Sequence, residues 1–97
     1  MKPLVFEALA VDELEEARDW YERQAAGLGR RFVLFVGSLV NRIRENPQAF
    51  PVIHRDIRRA VMKSFPYGVF FRDRAAAIEV IGVVHLHRHP DTWKRRK

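Results

Sequence analysis

Apolar and polar positions repeat with two different periods along this chain, and the change falls near Pro47. Before it the spacing is helical. Over residues 8–26, Ala10, Leu14, Ala17 and Tyr21 recur at i, i+4, i+7 and i+11, one face of a helix, with Trp20 widening the stripe. Asp12, Glu13, Glu15, Glu16, Asp19 and Glu22 fill the other face. Arg18 and Arg23 come later, an order that suits the helix dipole. Gly27-Leu28-Gly29 predicts a stop and a tight connection. Residues 30–45 form the second helical pattern, with Phe32, Val36, Leu39 and Ile43 on one stripe and Val33, Phe35 and Val40 beside it. Asn46-Pro47 ends it, because proline drives the residue before it out of the helical region. So short a connection predicts an antiparallel hairpin.

After residues 48–51, a proline-bounded loop, the period becomes that of strands. Val52-Ile53-His54-Arg55 reads as a short strand or an extended loop, and residues 57–65 alternate imperfectly. Pro66-Tyr67-Gly68 is a turn or bulge signal, and Val69-Phe70-Phe71-Arg72 a strand. Residues 77–86 are nearly all apolar, which suits a central strand covered on both faces, with Gly82 marking a bend or a close backbone approach. Pro3-Leu4-Val5-Phe6 predicts a strand ahead of the first helix. The predicted order is β-α-α-β-β-β, with room for one more short strand. This is an α+β fold: an N-terminal strand and a two-helix antiparallel hairpin packed on a small antiparallel sheet.

Size and composition narrow the class. The 97 residues predict one domain spanning residues 1–97, and 47% apolar with 31% charged residues predicts a folded, soluble chain. The absence of cysteine excludes a disulfide framework and thiolate chemistry. The first residues lack the pattern of a signal peptide, and no apolar run approaches membrane-spanning length, so a cytoplasmic location is expected. The net charge of +6 is unevenly placed: residues 1–50 hold seven basic and eight acidic side chains, residues 51–97 eleven and four. A one-sided basic field points to an anionic partner, either nucleic acid or an acidic protein segment.

Little of the chain reads as catalytic machinery. There is no GxxxxGK[ST], GxGxxG or GxSxG, and the strand half carries no close acidic pair. His85, His87 and His89 alternate and would share a face if the strand ran on. No third ligand is placed to complete a metal site, so neither metal nor cofactor is expected. Trp93 is expected to pin the basic tail to the body. The main feature is the basic set Arg55, Arg58, Arg59, Lys63, Arg72, Arg74 and Arg88 with the tail. On adjacent strands such side chains can converge on one face. A cluster of that kind suits metal-free RNA cleavage, where a base takes the 2′-OH proton and cations stabilise the phosphorane. It is equally suited to holding an acidic peptide.

Several stretches together resemble the RelE/ParE superfamily of type II toxin–antitoxin toxins, closest to its ParE-like branch. They are Ala10-x-x-x-Leu14-Glu15-Glu16-Ala17-x-x-Trp20-Tyr21-Glu22, Gly27-Leu28-Gly29-x-x-Phe32, Ile43-x-x-x-Pro47-x-x-Phe50-Pro51 and Ile57-Arg58-Arg59. Phe65-Pro66-Tyr67-x-Val69-x-Phe71-Arg72 and Val83-Val84-His85-x-x-Arg88-x-Pro90-x-x-Trp93 complete the set. The resemblance implies a bacterial toxin neutralised by a cognate antitoxin, whose acidic, amphipathic C-terminal segment wraps it. The candidate antitoxin contacts are Trp20, Tyr21, Phe35, Arg58 and Arg72. In the ParE-like branch the implied target is DNA gyrase, with Arg59, Arg88, Trp93, Lys94, Arg95 and Arg96 as candidate contacts. The alternatives are a RelE-like mRNA interferase acting on the ribosome, or a non-toxic binding or autorepressor partner. Only the RelE-like reading makes the chain an enzyme, with Arg58, Lys63, Arg72, His85 and Arg88 as catalytic candidates. That branch carries a tyrosine near the C-terminus, where this chain has Trp93 and no tyrosine after Tyr67.

Overall fold

A computed structural model describes residues 2–88 and 91–96. The order is β1 (Leu4–Phe6), α1 (Ala8–Gln24), α2 (Leu28–Glu45), a 3-10 turn (Pro47–Ala49), β2 (Val52–His54), β3 (Ile57–Val61), β4 (Tyr67–Asp73) and β5 (Ile78–His85), then a 3-10 turn at Thr92–Arg95. The five strands form one sheet in the order β1-β5-β4-β3-β2. β1 runs parallel to β5, and the other neighbours are antiparallel. The expected α+β architecture holds, and Val52–His54 supplies the additional short strand.

Both helical stripes face the sheet. Ala10, Ala17 and Tyr21 of α1 and Phe32, Val36, Leu39 and Ile43 of α2 are buried against Ala60, Val69, Phe71, Val80 and Val83. Tyr21, Phe32, Phe65 and Tyr67 form an aromatic knot, with Phe32 stacked on Tyr21 at 5.2 Å and edge-on to Phe65 at 5.2 Å and Tyr67 at 5.1 Å.

The helical connection is shorter than the sequence predicts. Leu28 and Gly29 belong to the first turn of α2 rather than to the link. Gly29 sits where any Cβ would collide with the Arg18 carbonyl, so it permits close approach of the helices. The Glu22 carboxylate accepts the N–H groups of Gly27 (2.9 Å) and Gly29 (3.0 Å), so a side chain of α1 caps the positive end of α2.

β5 is apolar on both faces because each face is covered. An extra residue interrupts its register with β4, where Phe70 faces Gly82 but Phe71 faces Val80. This bulge at Ile81 switches the alternation. Ile78, Val80 and Val83 point to the helices, while Ile81 and Val84 join Ile57, Phe70 and Trp93 in a second cluster behind the sheet. The C-terminal segment covers that second cluster. Trp93, 4% exposed, stacks on Phe70 at 4.8 Å. The expected pinning of the tail by Trp93 is therefore present, as part of a core.

Candidate functional site

The five basic residues with catalytic potential lie in different places. Arg58 faces the helices and donates to the Phe50 carbonyl at 2.7 Å. Lys63 follows β3 and lines a groove beside α2. Arg72 is buried on the opposite face of the sheet, where it donates to Asp56 (3.2 Å) and to the Arg96 carbonyl (2.8 Å). It ties the β2–β3 turn to the tail. Only His85 and Arg88 come together, at the end of β5.

Their surroundings form a cleft of about 350 Å³ between α1, β5 and the tail, lined in part by Glu13, Glu16, Trp20, Tyr67, His85 and Arg88. The Arg88 guanidinium lies over the Trp20 ring at 5.2 Å. The Tyr67 and His85 rings meet edge-on at 5.1 Å. Strand pairing stops at His85, whose Nδ1 accepts the backbone N–H groups of His87 (3.1 Å) and Arg88 (3.0 Å). In neutral His85 the proton therefore sits on Nε2. The chain turns here instead of extending the histidine alternation, and His89, with Pro90 and Lys97, lies outside the described residues. Among the described residues no three histidine or acidic side chains are grouped to hold a metal ion.

Burial pushes the Tyr67 hydroxyl above its ordinary pKa of 10.0; neighbouring Tyr21 pushes the same way and Arg88 opposes. Tyr21 is raised too, mainly by burial. Unfolding then releases phenols that ionise more readily than the folded ones. Stability is expected to hold up to about pH 10 and to fall above it. Urea midpoints measured across that range check this: the Tyr21→Phe/Tyr67→Phe chain should show a shallower fall, and an equally steep one contradicts it.

The cleft also exposes how the sheet edge is closed. β1 pairs with only Ile78, Glu79 and Val80, so β5 runs on without a neighbour. Beyond that point Glu13 Oε1 accepts the Val83 N–H (3.0 Å), and Arg96 Nη1 donates to the Ile81 carbonyl (2.9 Å). Arg96 and Glu13 are joined by two bonds of 2.7 Å each. This pair stands in for a missing strand. Gly82 makes room for it, since a Cβ there would lie 2.5 Å from Arg96 Nη1.

A second concavity lies on the opposite side of the hairpin. β2 reaches only Ile57 and Arg58, with Pro51 accepting the Arg59 N–H, so Ala60 and Val61 lack an outer strand. Between that free edge and α2 runs a groove of about 510 Å³ with Leu34, Phe35, Leu39, Val61 and Met62 as its apolar lining and Arg42 and Lys63 at its rim. Leu34 and Val61 are 59% and 52% exposed, high for large apolar side chains.

Charge divides the hairpin in the same way. α1 carries six acidic residues and two arginines, whereas α2 carries four arginines and one glutamate. The half-by-half count treats the hairpin as near neutral, but its two helices have opposite sign. The groove lies beside the basic one.

The family model described as "ParE toxin of type II toxin-antitoxin system, parDE" matches residues 4–90. The chain belongs to the ParE toxin family. It is 31% identical over 81 residues to Toxin ParE2 of Mycobacterium tuberculosis, in strains CDC 1551 / Oshkosh and ATCC 25618 / H37Rv, covering 82% of this chain and 77% of the relative. Its fold is similar to that of a chain from the chromosomal ParDE TA system of P. aeruginosa, with a TM-score of 0.64 at 16% identity over 88% of this chain and 96% of that one. As a ParE-type toxin of a type II toxin–antitoxin system, the chain is of a family that implies an antitoxin partner. Among its described residues no helix is long and apolar enough to cross a membrane.

Of the residues singled out as antitoxin contacts, Phe35 lines the α2 groove and Trp20 the α1 cleft, on different sides of the molecule. Tyr21 and Arg72 are buried. Of the target candidates, Lys94 and Arg95 are exposed and Arg59 half-buried, while Trp93 and Arg96 are tied into the body. Leu34 and Val61 were missed by sequence reasoning, and their one available signal was an apolar residue off the main stripe of its element.

Proposed function

We propose that this chain arrests growth by trapping DNA gyrase on cleaved DNA, and that its antitoxin docks in the groove between α2 and the free edge of β3. The groove carries this reading. Its apolar lining suits the apolar face of an amphipathic segment, and its arginine and lysine rim suits that segment's acidic residues. A disordered acidic tail would fold as it docks. Membership in the ParE family supports the gyrase target over the ribosome. So does the dispersal of Arg58, Lys63 and Arg72 to separate sites, which leaves no common pocket for general acid–base cleavage of RNA.

Titration with the antitoxin's C-terminal peptide tests the groove. Leu34→Glu/Val61→Glu places two carboxylates on exposed positions, so the fold should persist while the peptide binds about 30-fold or more weakly, roughly 2 kcal/mol. Unchanged affinity in a folded variant rules the groove out as the docking site.

A further inference from the structure

The back of the sheet carries a feature that the antitoxin groove does not account for. Arg59 points to that face, directly across from Phe70, on which Trp93 stacks. His54 meets Trp93 edge-on at 5.8 Å, and Lys94 Nζ lies 5.7 Å from the same ring. Arg55, in the β2–β3 turn, and Arg95, beside Trp93, are exposed. Lys94 thus lies against the buried indole and Arg59 across from its stacking partner Phe70, with Arg55 and Arg95 exposed in the turn and tail that Arg72 ties together.

They are poorly neutralised. Among the described residues Arg55, Arg59 and Arg95 have no carboxylate within ion-pair distance, because Asp56 is held by Arg72 and Glu13 by Arg96. Lys94 pairs only with the exposed Asp91 at 3.3 Å, a contact of little strength in water. Arg59 Nε is buried without a hydrogen-bond partner.

We propose that this face binds the phosphodiester backbone of a nucleic acid directly, without gyrase or antitoxin. The surface chemistry selects that ligand over an acidic peptide. Trp93 is 4% exposed, so the patch offers charge without the open apolar floor that the α2 groove has. A phosphate backbone supplies regularly spaced charge and needs no such floor. Duplex DNA and single-stranded RNA share this chemistry, and they are separated by how steeply binding falls with salt.

The test uses the purified chain and fluorescence anisotropy with a labelled 20-base-pair DNA duplex or a 20-nucleotide RNA of mixed sequence. Four phosphate contacts predict that affinity for the duplex falls about 150-fold between 50 and 200 mM salt, and for the RNA about 50-fold. The preferred ligand is the one that binds more tightly and follows its predicted slope. Arg59→Gln/Arg95→Gln should reduce the duplex value to about 12-fold, as should the wholly exposed pair Arg55→Gln/Arg95→Gln, with thermal melts unchanged. Arg23→Gln/Arg30→Gln, which removes the same charge from the helical layer, should leave the slope as it was. The proposal is overturned by no binding at 50 mM salt, by an equal loss in the helical control, or by a poly-glutamate 20-mer that binds as tightly and loses as much from the same substitutions. A chain that traps gyrase yet binds neither nucleic acid retires this proposal and leaves the proposed target standing.

Discussion

Phe32→Ala is expected to cost about 3–5 kcal/mol of folding stability, the range for removing a fully buried aromatic ring. Phe32 has no exposed surface and touches Tyr21, Phe65 and Tyr67 at ring distances of 5.1 to 5.2 Å. Its loss therefore opens a cavity bounded by α1, α2 and the loop before β4, which cannot collapse without moving three elements together. A domain of this size is stable by only about 5–15 kcal/mol, so the substitution removes a large share of the total. Urea unfolding at constant m-value measures it. A loss below about 1 kcal/mol would show that the aromatic knot does not hold the hairpin to the sheet.

Trp93→Ala is expected to cost a similar amount, about 3–5 kcal/mol, despite lying in a basic tail. The ring stacks on Phe70 and closes a cluster containing Ile57, Ile81 and Val84. The tail is further fastened by Arg96, through its bonds to Glu13 and the Ile81 carbonyl, and by Arg72, which donates to the Arg96 carbonyl. Removing residues 93–97 would uncover this second core and the free edge of β5 together, so such a truncation tests folding before it tests target contact. The useful comparison is with Lys94→Gln/Arg95→Gln. Both side chains are exposed, and their removal should change stability by less than about 0.5 kcal/mol. Thermal melts of the two variants decide the matter. If Trp93→Ala melts like the parent chain, the tail is an appendage and the second core is not one.

Both helical stripes were legible in the sequence, since burial at i, i+3, i+4 and i+7 depends only on local geometry, and Ala10, Tyr21, Phe32 and Ile43 all lie where the period places them. The central strand was legible as a run that is nearly all apolar. Gly82 signalled the bend and close approach there, but the inserted residue itself, Ile81, becomes visible only against the register of β4. The site was less legible still. Arg58, Lys63 and Arg72 are similar as letters, and their separation follows from side-chain direction in paired strands and from partners 8 to 24 residues away. Glu13 and Glu22 looked like a solvated helix face. One proves to complete a sheet edge and the other to cap the next helix, roles set by contacts that no single-element pattern contains.

Gyrase poisoning is the activity proposed for this ParE-family chain. Purified protein incubated with gyrase, ATP and supercoiled plasmid, then treated with detergent and protease, tests it most directly. The expected result is linear DNA that increases with toxin and disappears when the antitoxin is added first. Plasmid that stays uncut at every toxin concentration, while the same preparation cleaves mRNA on translating ribosomes, would contradict it.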